Sequence, residues 1–130
     1  MACDAIHMTG GNTYRFLHWL RRRYLMPALQ QYASNGGVLI GVSAGAILMT
    51  PHIDTSMICG DTLYNGQENT TGLSLVDFAF VPHFDGSAEM GEEVTAFKTR
   101  FKGPVYAVPD GGAIIVEGNS IEPLSAIEWP

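Results

Sequence analysis

Charge is scarce in this sequence: only 15% of its 130 residues are charged, and they sum to −6 at pH 7. An acidic balance argues against nucleic acid as a partner, because nothing offsets phosphate repulsion. The one basic run, Arg21-Arg22-Arg23, reads as the solvated end of a helix. Cysteine is nearly absent. Cys3 and Cys59 make no disulfide framework, and neither stands in a CxxC pair or beside a ligand-spaced histidine, so no metal site is expected. No stretch of ~18 apolar residues could cross a membrane and no secretory signal is visible, which leaves a cytoplasmic location as the expectation. The phosphate-cradling spacings GxGxxG and GxxxxGK[ST] are missing too, as are repeats and low-complexity segments.

Apolar residues are plentiful at 46%. A chain of this length is expected to form one domain over 1–130, and its low charge suggests that one face is buried in a partner. "DAIHMT" (4–9) reads as a strand ending at Gly10-Gly11. Asn12 or Thr13 then caps a helix with apolar positions Phe16, Leu17, Leu20 and Tyr24. Pro27 suits a first helical turn, so a second helix is expected from about Met26 to Ser34, closed by Asn35-Gly36-Gly37. "VLIGV" (38–42) is continuous apolar sequence, as in a parallel strand buried on both faces. "AGAILMT" opens another helix that Pro51 stops. Strand is expected within 72–84, a short amphipathic helix over 92–101, and a hairpin turning at Gly118-Asn119. Strand–helix alternation followed by late strands gives an α/β class with a largely parallel sheet.

The stretch "GVSAG" (41–45) places Ser43 between an apolar strand and a helix. A serine hydroxyl becomes a nucleophile only when a base takes its proton. In a GxSxG elbow the flanking glycines let strand and helix approach closely, while the Oγ points out above the sheet. Ser43 is therefore a candidate nucleophile with the Ala44 amide facing the oxyanion. The pattern alone also fits a tight turn.

Among four histidines, His83 in "FVPHFDG" lies at the end of a strand, where parallel α/β sheets collect functional groups, and is the candidate base. Asp110 in "AVPDGGAII" is the candidate orienter, with Asp54, Asp61 and Asp85 as competitors. A turn aspartate is the plainer reading of Asp110. "TGGNT" (9–13) could supply a second oxyanion amide from Gly11 at a helix N-terminus. A metal held by His52-x-Asp54 and His83-x-Asp85 lacks a third ligand pattern.

In order along the chain, "TGGNTYRFL", "GVSAGAI", "GLSLVDFAFVPHF" and "YAVPDGGAI" resemble peptidase family S51, the family of dipeptidase E (α-aspartyl dipeptidase) and cyanophycinase. The resemblance implies a flavodoxin-like, class I glutamine amidotransferase-like α/β fold. It implies Ser43 as nucleophile, His83 as base and Asp110 as acidic third member, with Gly11 and Ala44 as oxyanion amides. Gly10 and Asn12 would lie in the substrate pocket, and no cofactor would be needed. Members begin with strands and helices ahead of the glycine turn, so a sheet lacking its N-terminal strands is implied. Either the chain is a fragment or a second copy covers the gap; a homodimer is the expectation. Aspartyl dipeptidases carry an arginine soon after the histidine, yet "DGSAEMGEEVTAF" has none. Arg100 is a distant substitute. The reading is thus a serine hydrolase of small peptides or short-chain carboxylic esters. An esterase without peptidase activity and an inactive binding module of the same fold are the alternatives.

Overall fold

A computed structural model describes residues 3–64 and 69–130. Strand β1 (Ala5–Met8) runs into helix α1 (Thr13–Arg22), then α2 (Met26–Ser34), β2 (Val38–Gly41) and the short α3 (Ala44–Ile47). β3 (Ala79–Val81), α4 (Ala88–Arg100), β4 (Val105–Ala107), β5 (Ala113–Glu117), β6 (Ser120–Leu124) and β7 (Ile127–Glu128) follow. β1 and β2 pair in parallel, Ala5 opposite Val38 through Met8 opposite Gly41. β3 and β4 pair in parallel and β7 adds antiparallel to β4; β5 and β6 form a separate hairpin.

Local chemistry explains most boundaries. The Asn12 side chain accepts the Arg15 N–H and caps α1, Pro27 sits in the first turn of α2, and Ser87 Oγ accepts the Met90 N–H to cap α4. Glu89 in the first turn of α4, with Lys98 and Arg100 in its last, complements the helix dipole. One core cluster gathers Tyr14, Leu17, Leu29, Ile47, Leu48 and Ile53 around β1, β2 and α1–α3. A second, including Val81, Val94, Phe97 and Val105, joins α4 to β3 and β4. Each fully buried aliphatic side chain contributes about 1.5–3 kcal/mol of transfer free energy.

Several expectations need correction. β2 is not buried on both faces: Val38, Ile40 and Val42 are 52, 48 and 51% exposed, because no described element covers the side facing away from α1 and α3. The segment 72–78 is not strand. Leu73 N–H donates to Leu48 O (2.7 Å), Ser74 N–H to Thr50 O (3.3 Å) and Leu75 N–H to Met49 O (2.8 Å), so its hydrogen bonds go to the chain leaving α3. Those same carbonyls are thereby withdrawn from helical pairing, and α3 ends at Ile47. α4 begins four residues earlier than its apolar pattern suggests, at the Ser87 cap. Tyr24 lies past α1 in a left-handed conformation (φ +56°) and is 86% exposed. Arg21 is not merely solvated; its Nη2 donates to Thr71 O. The hairpin turn at Gly118-Asn119 stands as expected.

Candidate active site

Two parallel strand pairs bring the candidate residues together. In the first, Val42 N–H extends the ladder to Met8 O at 2.9 Å, so the ends of β1 and β2 lie side by side. A Cβ on Gly41 would stand 2.7 Å from backbone atoms of Gly45 and Ala46, and one on Gly45 would overlap the Met8 carbonyl. The two glycines of "GVSAG" thus let helix α3 start directly against the strand ends. Ser43 between them has φ +55° and ψ −111°. A non-glycine residue held there carries strain of about 1–3 kcal/mol, sustained by the surrounding packing. Its carbonyl accepts Ala46 N–H (3.0 Å) and Ile47 N–H (3.1 Å), locking the bend into the helix.

In the second pair, Val108 N–H donates to Val81 O (2.8 Å) and Val108 O accepts Phe84 N–H (3.1 Å). Pro82 and His83 bow out between these bonds, and His83 adopts φ +58°. Its Nε2 lies 2.9 Å from Ser43 Oγ and its Nδ1 lies 2.7 Å from Asp110 Oδ1. An ionised carboxylate only accepts, so Nδ1 carries the proton and Nε2 is free to accept the Ser43 hydroxyl. The His83 and Asp110 side chains are 54 and 84% exposed. Behind them the Cys59 thiol donates to Pro82 O at 3.3 Å, a brace that sequence reasoning did not anticipate.

The competing acids are engaged elsewhere. Asp54 Oδ1 accepts the Tyr14 hydroxyl (2.8 Å), Asp85 Oδ1 accepts Ser87 N–H (2.9 Å), and Asp61 Oδ2 accepts both Thr13 N–H (2.9 Å) and Thr13 Oγ1–H (2.8 Å). The bonds from Ser87 hold the Asp85 carboxyl below its usual range. Of the other three histidines, His7 lies within β1, His18 packs edge-on to Trp19 and Tyr64, and His52 to Phe101. No cluster of three or more His, Cys, Asp or Glu with metal-holding geometry occurs among the described residues.

The glycine turn lies beside Ser43, for a Cβ on Gly10 would be 3.8 Å from that of Ser43. Gly11 has φ +126°, which favours glycine. Ala44, as first residue of α3, presents its N–H at the open end of the helix. Asn12 is occupied locally: besides capping α1, its Nδ2 donates to Thr62 O at 3.5 Å. A groove of about 790 Å³ opens from Ser43, His83 and Asp110 along Ile40, Val42, Phe78 and Ile115. No Lys or Arg is among the described residues that line it. No described helix is long and apolar enough to cross a membrane.

The family model for peptidase family S51 matches residues 1–124. The chain belongs to peptidase family S51. A relative, an uncharacterized peptidase of Listeria monocytogenes, is 28% identical over 121 residues, covering 91% of this chain and 58% of its own length. A peptidase E of Nostoc sp. is 29% identical over 126 residues, covering 91% of this chain and 51% of its own. The crystal structure of a protein described as a peptidase E from Listeria monocytogenes superposes with a TM-score of 0.78 at 26% identity, covering 99% of this chain and 61% of that one. The fold is accordingly the flavodoxin-like α/β class of the S51 peptidases. The chain spans about half to three-fifths the length of these relatives.

Proposed function

We propose that this S51 chain is a serine hydrolase of small acyl substrates. The observation that carries the reading is the continuous chain from Ser43 Oγ to His83 Nε2 (2.9 Å) and from His83 Nδ1 to Asp110 (2.7 Å), starting at a serine with φ +55°. In this reading Ser43 Oγ attacks the acyl carbon while His83 takes its proton. Asp110 holds the imidazole in the required tautomer and stabilises the imidazolium. The Gly11 and Ala44 amides face the oxyanion. His83 then returns the proton to the leaving group, and water, activated by the same imidazole, releases the acyl group.

Substrates are proposed to be small peptides or short-chain carboxylic esters. Clamping an acidic side chain needs a cation, ideally a bidentate arginine, and the groove beside Ser43 is lined by apolar residues without Lys or Arg among those described. Arg100, at the last position of α4, is not among its lining residues. That observation favours an esterase over an aspartyl peptidase as a second reading. The half-exposed Val38 and Ile40, toward the end of β2 away from Ser43, support the further proposal of a homodimer.

A fluorophosphonate probe tests the chemistry: labelling of the intact protein, lost in Ser43→Ala and strongly reduced in His83→Ala, is the expected result. No labelling of intact protein would overturn the reading and favour an inactive binding module.

A further inference from the structure

We propose that Asp61 is a positioning residue for the oxyanion turn; the inference rests on the serine-hydrolase reading and adds a member to that site. Asp61 Oδ2 accepts two bonds from one residue, Thr13 N–H (2.9 Å) and Thr13 Oγ1–H (2.8 Å). Thr13 is fully buried and stands two positions after Gly11. The next residue along, Thr62, accepts Asn12 Nδ2 through its carbonyl. Two consecutive residues of the 59–62 stretch therefore grip the two that follow Gly11.

Gly11 itself has nothing within 4 Å of the place a Cβ would occupy, so packing on that side does not hold it. Its place is set from the two ends of the turn. At the near end Met8 O is tied to Val42 N–H, one residue before Ser43. At the far end stands Asp61, the charged member of the grip, favourably placed at the N-terminus of the ten-residue α1. The same stretch reaches the base, because Cys59 Sγ donates to the carbonyl of Pro82 beside His83. The Asp61 backbone is in turn fixed by its N–H to Ser56 O at 3.0 Å. One short segment thus connects the oxyanion turn to the strand end carrying His83, and Asp61 reaches the reaction only through Thr13 and the Gly11 amide.

A displaced oxyanion donor lowers the rate of the chemical step more than substrate binding. With a p-nitrophenyl ester, Asp61→Ala is expected to lower kcat by roughly 10–100-fold with KM within about threefold, consistent with partial loss of one donor. The midpoint of the pH–rate profile stays where it is, because Asp61 does not touch His83. Asp61→Asn, whose Oδ1 can still accept both Thr13 bonds, recovers most of kcat. An unchanged kcat in Asp61→Ala, a change confined to KM, or a shifted pH midpoint would overturn the inference. If Asp61→Ala does not fold by circular dichroism, Thr13→Val removes one bond at constant shape. It should lower kcat severalfold, and wild-type kcat there overturns the inference. Fluorophosphonate labelling of wild-type Ser43 separates the two claims. Unlabelled wild type defeats both; labelled, active wild type with an equally active Asp61→Ala defeats this one alone.

Discussion

Gly45 packs directly against Met8, so closely that a methyl group added at Gly45 would overlap the Met8 carbonyl. This contact between the strand-to-helix bend and the end of β1 places Ser43 alongside the glycine turn. Gly45→Ala must push the helix away from the strand or distort the bend. Overpacking of this kind costs about 1–3 kcal/mol and lowers Tm by roughly 5–10 °C in a chain of this size. Gly10→Ala is the contrast, since its added carbon would meet the Ser43 Cβ at an ordinary 3.8 Å. Thermal melts should show Gly45→Ala destabilised and Gly10→Ala near wild type. Equal melting temperatures would contradict this account of the bend at Ser43.

His83 and Asp110 should not weigh equally in the rate. His83 Nε2 is the group within reach of the serine hydroxyl, and its loss would leave Ser43 without the proposed base. Asp110 is 84% exposed, so water can partly replace its carboxylate at His83 Nδ1. His83→Ala is expected to lower kcat/KM by at least about 10³-fold, and Asp110→Ala by roughly 10–100-fold, less than a buried triad aspartate gives. The reverse order in ester hydrolysis would place the base elsewhere.

Cys59 provides a stability change with a defined sign. Burial, with the charges of Asp61 and Glu93, pushes its thiol up from 9.0 to about 11. The folded state therefore keeps its proton where the unfolded state has lost it. Its contribution is complete below about pH 9 and disappears as pH rises through about 11. Melting temperatures of wild type should fall across that window, and Cys59→Ser, which keeps a donor toward Pro82 O, should flatten the fall. Iodoacetamide at pH 8 should modify exposed Cys3 at least about tenfold faster than Cys59. Equal labelling by peptide mass mapping would show Cys59 to be accessible thiolate.

The parts legible in the sequence were those governed by short-range rules. Asn12 capping α1, Pro27 opening α2 and the turn at Gly118-Asn119 are local chemistry, and each lies where that chemistry puts it. The meeting of His83 and Asp110 was legible in another way, because each follows a strand and those two strands pair in parallel, which sets their ends side by side; Ser43 likewise follows a parallel-paired strand, β2. What stayed hidden depends on tertiary pairing. Nothing in "GLSLVD" reveals that its amides will bond to Leu48, Met49 and Thr50, yet those bonds stop α3 and keep 72–78 out of the sheet. Asp61 was one of several interchangeable acids until its distance to Thr13 was known.

The exposed face of β2 carries the proposal of self-association. Val38 and Ile40 project from alternate positions of β2 toward the end of the groove away from Ser43, and Ile115 on β5 is 50% exposed, so a partner covering them leaves the Ser43 end open. Covering these side chains removes apolar surface from water at about 25 cal/mol per Å². Light scattering after size exclusion should give about twice the 14.1 kDa chain mass. Ile40→Asp should shift the protein to monomer while leaving α1 and its core cluster intact. A wild-type monomer at the concentrations used for assay would end the proposal.

Substrate choice follows from what borders Ser43. Beside Ser43 and His83 the groove is bordered by Val42, Phe78 and Pro82, with no lining Lys or Arg among the described residues, so an acidic side chain would lose hydration there without gaining a partner. An acetyl or butyryl group loses nothing comparable. Esters also expel a better leaving group than amides and depend less on proton delivery by a His83 side chain that is 54% exposed. Turnover of a short-chain p-nitrophenyl ester should therefore exceed that of an Asp-X dipeptide by roughly 10-fold or more in kcat/KM, the scale of one missing charge-assisted hydrogen bond. The ester activity should vanish in Ser43→Ala. Preferential cleavage of the Asp-X dipeptide would require a cation at the groove, and Arg100→Ala would then be the first variant to examine.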